Sequence, residues 1–226
     1  MENDHEVDRL VAHCRETLGD KNLWQTPGGY PDSLALCIID AIYSTGSHYN
    51  SVVNVVERYT ERHGRSDGAK DLVASIERAG GPRQWAVDVV DNLKPAHTQP
   101  SAPLKAEVIF QAAQLMGNLG IDTVSGLISA VEASPQNNPV HDGWKALPSQ
   151  SSGVTYNYLL ILAGLPSVKP DRMVLRYLRE ALGQDAELST SRAVELITDA
   201  AHVIGVSPRT LDHVVWRAAS GREPLD

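Results

Sequence analysis

A single carboxylate, Asp171, stands at the start of a predicted helix and is well placed for chemistry. It follows Pro170 and precedes the residues Arg-Met-Val. A carboxylate beside a sugar can stabilise the positive charge that builds when an N-glycosidic bond breaks, and it can orient or activate water. The same position is typical of an N-cap, which accepts hydrogen bonds from the first helical N–H groups. The two roles are compatible, and the sequence leaves both open.

A run of small residues lies upstream of this acid. Residues 147–155 read Leu-Pro-Ser-Gln-Ser-Ser-Gly-Val-Thr, and an apolar segment follows at 159–164. Small side chains let backbone N–H groups approach a phosphate, and the next helix adds the positive end of its dipole. The alternative is an ordinary serine-rich loop between two helices. The candidate contacts with a nucleic-acid backbone are Ser149, Gln150, Ser151, Ser152, Gly153 and Arg172.

Helical periodicity extends along nearly the whole chain, and no segment alternates like a strand. The sequence therefore predicts an all-α fold. Residues 34–43 are apolar almost all round, which indicates a central, buried helix. Its lone charge, Asp40, needs a partner in that position.

Composition sets limits on function. The 226-residue chain has a net charge of −8, which counts against general nucleic-acid binding, although a local basic cluster can still bind. Its two cysteines, Cys14 and Cys37, cannot form a four-cysteine metal or iron–sulfur site, and we expect buried thiols. No apolar run is long enough to span a bilayer and no signal-peptide pattern is present, so we expect a cytoplasmic protein without membrane association.

The order of these elements resembles the helix-hairpin-helix DNA glycosylase superfamily, which includes endonuclease III and adenine glycosylases. Residues 147–155 are similar to its Leu-Pro-Gly-Val-Gly-x-Lys-Thr-Ala pattern. Residues 168–174, Val-Lys-Pro-Asp-Arg-Met-Val, are similar to its Val-Asp-Thr-His-Val segment. Residues 105–107, Lys-Ala-Glu, resemble a Lys-Ala-x element, and residues 41–47 lie where the family has a Leu-Ser-x-Gln-x-Thr loop. The resemblance covers roughly residues 30–218.

The chain departs from the family pattern at several positions. Ser149 and Ser151 replace the two hairpin glycines, and Thr45 lies near the position of a glutamine that enters the DNA. The cysteines that hold a cluster in relatives are missing. Gly153 occupies the position of the Schiff-base lysine, and glycine has no amine nucleophile. The resemblance thus implies a divergent member without an iron–sulfur cluster and without lyase activity.

The resemblance also implies an architecture and a partner. A barrel-like helical subdomain, residues 34–148, leads into the hairpin at 148–153, and residues 1–33 with 160–226 form a discontinuous second subdomain. The cleft between them is expected to hold double-stranded DNA, with Asp171 at its mouth. We expect no metal or organic cofactor in the chemistry, although a monovalent cation at the hairpin is common in that family.

A base that is flipped out of the duplex needs aromatic or apolar surfaces and a few hydrogen-bonding groups. Most aromatic side chains of a helical protein belong to its core, and a lone histidine in a loop is more often solvated. The candidates for a base pocket or a duplex wedge are Trp24, Tyr30, Tyr43, Thr45, His48 and Tyr156.

The leading hypothesis is a monofunctional DNA glycosylase that flips and excises a damaged or modified base, with Asp171 assisting hydrolysis. The glycine replacements, the missing lysine and the acidic charge favour an alternative, a non-catalytic DNA-binding or scaffold protein that keeps the glycosylase fold. A third hypothesis is a helical interaction protein with no nucleic-acid role. A partly accessible Asp171 in a positively lined groove, with outward-pointing hairpin amides, favours the first, whereas an Asp171 sealed by its own cap in an acidic groove excludes it.

Overall fold

The computed structural model describes residues 2–183 and 188–222. Within these ranges the chain is all-helical, as predicted, and its β-pairing is limited to one bridge between Pro95 and Leu104. No helix in the described ranges has both the length and the apolar character that crossing a membrane requires. The α-helices are α1 Glu2–Thr17, α2 Leu34–Tyr43, α3 Tyr49–His63, α4 Ala69–Arg78, α5 Pro82–Asp88, α6 Lys105–Asn118, α7 Val124–Val131, α8 Pro139–Ala146, α9 Val154–Leu162, α10 Arg172–Leu182, α11 Thr190–Ile204 and α12 Pro208–Ala219.

The helices group into two compact units. The middle unit is Gly29–Gly164, and the terminal unit combines Met1–Gly28 with Leu165–Asp226. The divisions lie after residues 28 and 164, whereas the sequence placed them after 33 and before 160. The reason is local packing, because the N–H of Tyr30 donates to the Leu162 carbonyl at 2.8 Å and keeps α9 with the segment before α2. Positions 184–187 and 223–226 of the predicted second subdomain lie outside the described residues.

Helix α2 is the centre of the middle unit. All ten of its residues are buried, and it packs against α3, α4, α6 and α9, which confirms the central helix expected from its apolar character. Ser33 begins the helix by accepting the N–H of Leu36 at 3.2 Å. The hydroxyl of Tyr30 donates to Asp40 Oδ2 at 2.9 Å and gives this buried carboxylate a partner.

The terminal unit packs α1, α10, α11 and α12 around one apolar core. Helix α10 contributes a stripe at helical spacing, formed by Val174, Tyr177, Leu178 and Leu182. This stripe fixes the rotation of α10 in the core and so the direction of its first turn. The N-cap of that turn is Asp171, the acid singled out by the sequence.

A hydrogen-bonded network around His63 joins α3 to α4 in the middle unit. Ser75 Oγ lies 3.0 Å from His63 Nε2 and accepts the indole N–H of Trp85 at 3.1 Å. The ring of Tyr59 stacks on the imidazole, with centroids 4.5 Å apart, and its hydroxyl donates to Asp67. Ser75 is buried, so this Ser–His–Asp set packs the core and offers no accessible nucleophile.

We expect the free energy of unfolding to decrease as the pH falls below about 6.5, and His63 to be one cause of this decrease. Burial lowers the pKa of His63 from its ordinary value of 6.5, against the attraction of Asp67, so protons bind the unfolded chain first. One such group changes the free energy of unfolding by at most about 1.4 kcal/mol per pH unit. Thermal unfolding at about pH 7.5 and about pH 5.5 measures the loss, and it should be smaller in His63→Gln. Equal losses in the two proteins would contradict this role.

Candidate functional site

Asp171 is the N-cap of α10 and remains partly exposed. Its Oδ1 accepts the N–H of Met173 at 2.8 Å and that of Val174 at 3.2 Å. Its Oδ2 accepts no hydrogen bond from the described residues. These two hydrogen bonds satisfy N–H groups of the first helical turn, which have no acceptor within the helix. Asp171 therefore combines the capping role with one carboxylate oxygen that is open to other partners.

Asp212, in α12, lies beneath the segment that leads to Asp171. Its carboxyl Oδ1 accepts the backbone N–H of Lys169 at 2.8 Å. Burial raises the pKa of Asp212 well above its ordinary 3.8, the bond from Lys169 opposes this shift, and the negative charge of Asp171 adds to it. Asp212 is not among the predicted site residues, because an isolated acid in an amphipathic helix is usually solvated.

The small-residue stretch forms a turn between α8 and α9 in the middle unit. The N–H of Gln150 donates to Leu147 O at 3.1 Å, and that of Gly153 donates to Gln150 O at 3.0 Å. Ser151 and Ser152 are exposed between these two bonds. Their backbone N–H groups donate to no acceptor among the described residues. The turn thus presents two free donors beside the N-terminus of α9.

Gln150 and Gly153, two of the predicted contacts with a nucleic-acid backbone, face the interior of the protein. Gln150 is 2% exposed, and its Oε1 accepts a hydrogen bond from the hydroxyl of Thr155. The same hydroxyl accepts a hydrogen bond from the indole N–H of Trp144 at 2.9 Å. Gly153 is buried, and its N–H is used inside the turn. The side chain of Gln150 therefore holds the turn against α8 and α9, and this corrects its predicted role as a backbone contact.

Ser149 occupies a backbone conformation that favours glycine, with φ of 65°. We expect Ser149→Gly to raise the free energy of unfolding by about 0.5–1 kcal/mol, because the relief of left-handed strain exceeds the entropic cost of glycine. Ser152→Gly is the matched control, since Ser152 is also exposed in the turn but has no positive φ. Chemical denaturation measures both, and stabilisation by the control alone would contradict the strain argument.

Arg172 follows Asp171 and is exposed. Its guanidinium makes neither an ion pair nor a hydrogen bond within the described ranges of the chain. Arg176, one turn later, is paired with Glu180 at 3.7 Å. Of these two cations, Arg172 is the one that retains its full hydrogen-bonding capacity for an anion.

Two of the aromatic residues proposed for a base pocket are core residues. Tyr43 is 1% exposed and donates its hydroxyl to the Asn92 carbonyl at 3.0 Å. Tyr156 is fully buried and donates to the Pro135 carbonyl at 2.7 Å, while Asn138 donates to the same hydroxyl. Neither ring offers a face on which a base can stack, so packing overrides the role that the sequence suggested for them.

Trp24 and Tyr30 are half-buried and partnered. The indole N–H of Trp24 donates to Leu18 O at 2.9 Å, and its ring packs on the core of the terminal unit. Trp24 also lines a shallow depression of about 300 Å³ with Lys21 and Ile204. Tyr30 is bonded to Asp40 in the middle unit. Trp24 belongs to the terminal unit and Tyr30 to the middle unit.

The loop between α2 and α3 carries the remaining two candidates. His48 is exposed at the start of α3 and makes no capping hydrogen bond. The carbonyl of Thr45 accepts a hydrogen bond from Lys105 Nζ at 2.6 Å. Lys105 is 1% exposed and also donates to Ile42 O at 2.8 Å and Tyr43 O at 3.0 Å. This buried ammonium holds the loop on the end of α2, and no sequence signal identified that role.

Among the described residues, no three His, Cys, Asp or Glu side chains form a group that could hold a metal ion. The absence of a cofactor from the chemistry stays a prediction.

The comparisons with known proteins identify a family. Residues 8–220 match a family described as a domain of unknown function, DUF8548. No curated protein matches the chain, and no solved structure matches it. Since the matched residues are nearly the whole of the sequence, the chain belongs to the DUF8548 family.

Proposed function

We propose that the protein is a monofunctional DNA glycosylase that excises a damaged or modified base from double-stranded DNA. The observation that carries this proposal is Asp171, a partly exposed carboxylate with one oxygen free of hydrogen bonds to the described residues. Its position between a capped helix and the Lys-Pro turn is the position implied by the resemblance to helix-hairpin-helix glycosylases. Among the described residues, no other accessible carboxylate is supported by both arguments.

The proposed reaction is hydrolysis of the bond between the base and C1′ of the sugar. As this bond breaks, its electron pair leaves with the base and positive charge builds on the sugar. Asp171 Oδ2 stabilises that charge and orients a water molecule, whose oxygen bonds to C1′. The water gives up one proton, and the departing base takes up one proton. Gly153 has no amine, so strand cleavage through a Schiff base is not part of the proposal.

The segment formed by α8, the turn and α9 is proposed to bind the DNA backbone as a helix-hairpin-helix motif. The support is the pair of exposed serines, Ser151 and Ser152, whose backbone N–H groups are free beside the N-terminus of α9. Backbone donors at a helix N-terminus are a common way to bind phosphate. Such contacts read no base, so this motif sets position and not specificity. Arg172 is proposed as an additional phosphate contact in the other unit.

A non-catalytic DNA-binding or scaffold protein is the second candidate. Asp171 already has a structural task, since its Oδ1 caps α10, and a cap needs no chemistry to explain it. The net charge of −8 and the replaced hairpin glycines favour this candidate as well. It predicts DNA binding that depends on the turn but no release of base from any duplex.

The deciding experiment measures base release from a panel of duplexes that carry oxidised, alkylated, deaminated and hypermodified bases. Chromatography of the free base reports glycosylase activity directly, and alkali treatment of the product separates it from strand cleavage. Release from at least one duplex, without strand cleavage before alkali, is the expected result. Binding to the panel without release would support the second candidate, and neither binding nor release would support a helical interaction protein.

A further inference from the structure

The buried carboxyl of Asp212 is a structural neighbour of the segment that carries Asp171. Asp212 is 6% exposed, and its neighbours on α12, Leu211, Val214 and Val215, are fully buried in the core of the terminal unit. Its Oδ1 accepts the backbone N–H of Lys169 at 2.8 Å. The side chain therefore connects α12 to the residues immediately before α10.

A continuous series of hydrogen bonds leads from Asp212 to the cap of α10. Asp212 holds the N–H of Lys169, and the carbonyl of Lys169 accepts the N–H of Asp171 at 2.7 Å. Asp171 in turn accepts the N–H of Met173 at 2.8 Å. Pro170, which is buried between them, has its φ fixed by its ring. Little rotational freedom is left between the Asp212 carboxyl and the Asp171 side chain.

A carboxyl group at this position is costly for folding. Burial raises the pKa of Asp212, and the nearby charge of Asp171 raises it further. A leucine of similar shape would fill the same space without that cost. The contribution that leucine cannot make is the acceptor for the Lys169 N–H.

We propose that Asp212 is a positioning residue for Asp171, an inference that rests on the glycosylase function proposed above. By holding the Lys169 N–H, it fixes residues 169–171 and with them the direction of Asp171 Oδ2. Asp212 does not touch the substrate in this proposal. Its role requires an acceptor oxygen at this position and does not require a negative charge.

Two variants of nearly the same shape separate these requirements. Asp212→Asn keeps an oxygen that can accept the Lys169 N–H, whereas Asp212→Leu removes the acceptor and keeps the branched shape at Cγ. Should the leucine variant fail to fold, Asp212→Ala gives the same comparison. The readouts are amide hydrogen exchange by NMR at Lys169, Asp171 and Met173, the single-turnover rate of base release, and the Kd for the duplex.

In Asp212→Leu, exchange at these three amides should accelerate about five- to tenfold, the equivalent of one net hydrogen bond. The rate of base release should fall by up to about 10²-fold at an unchanged Kd, because misplacement of a catalytic group costs rate and not affinity. Asp212→Asn should retain wild-type exchange and a rate within about twofold of wild type.

Two results would overturn the positioning role. The first is wild-type exchange at Asp171 and Met173 in Asp212→Leu. The second is a loss of base release in Asp212→Asn as large as in Asp212→Leu, because the carboxyl itself would then be needed. Hydrogen exchange does not depend on activity, so a wild-type protein that releases no base refutes the glycosylase function while exchange still decides the link between Asp212 and Asp171.

Discussion

Replacement of Asp171 by asparagine should lower the single-turnover rate of base release by about 10²–10³-fold, the usual effect of removing one electrostatic contact to a transition state. The amide keeps the size of the carboxylate but lacks the negative charge that opposes the charge on the sugar. Folding should change little, because asparagine is as good an N-cap as aspartate and can accept the N–H groups of Met173 and Val174. The measurement is base release at saturating enzyme, on whichever duplex of the panel is a substrate.

Asp20→Asn is the matched control for Asp171→Asn. Asp20 is also an N-cap, it belongs to the same unit, and it accepts the N–H of Asn22 at 2.9 Å. The same chemical change there removes one negative charge without touching the proposed site. Base release should be unaffected in this variant. A wild-type rate in Asp171→Asn would refute the proposed catalytic role, and equal losses in both variants would indicate a general effect of charge on DNA binding.

The structural and the catalytic interpretations of Asp171 use different oxygens. Oδ1 is occupied by the first turn of α10, and Oδ2 is not bonded to the described residues. A carboxylate held at one oxygen by a helix N-terminus cannot rotate freely, so its second oxygen has a defined direction. The cap that makes Asp171 ordinary in sequence is therefore also a means of orienting it.

Properties that depend on neighbours along the chain could be predicted from the sequence. The apolar character of residues 34–43 predicted a buried helix, and α2 is buried on all sides. A charge in such a helix needs a partner, so one was expected for Asp40. Tyr30 could not be identified as that partner, because it lies in a Pro/Gly loop with no periodicity and its hydroxyl reaches Asp40 only in the folded unit.

Properties that depend on distant packing could not be predicted. Tyr43 and Tyr156 were candidates for a base pocket because they are aromatic, and both are core residues whose hydroxyl groups donate to distant carbonyls. Gln150 has a polar side chain in an exposed turn, yet it points inward to Thr155. Whether a side chain in a turn is exposed depends on the direction in which that side chain points, and the amino-acid composition of the turn does not reveal this direction.

Replacement of Lys105 by methionine should lower the free energy of unfolding of the middle unit by about 2–4 kcal/mol. The last carbonyls of a helix have no partner within the helix, and at the end of α2 they are buried. Lys105 Nζ satisfies Ile42 O, Tyr43 O and Thr45 O together, and its charge is favourable at a helix C-terminus. Methionine fills the same space but leaves Tyr43 O without this donor, while Ile42 O and Thr45 O keep only the hydroxyls of Thr45 at 3.1 Å and of Ser47 at 3.4 Å. Relief of the buried charge offsets only part of that loss, because three charge-assisted hydrogen bonds disappear together.

Lys70→Met is the matched control for this effect. Lys70 is also on a helix of the middle unit, but its side chain is 72% exposed and its ion pair with Asp122 is 3.8 Å long. Its replacement should change the free energy of unfolding by less than about 0.5 kcal/mol. Urea denaturation of the two variants and the wild type measures the difference. A change below about 1 kcal/mol in Lys105→Met would show that the end of α2 finds other donors, and the loop from Ser44 to His48 would then owe its position to packing alone.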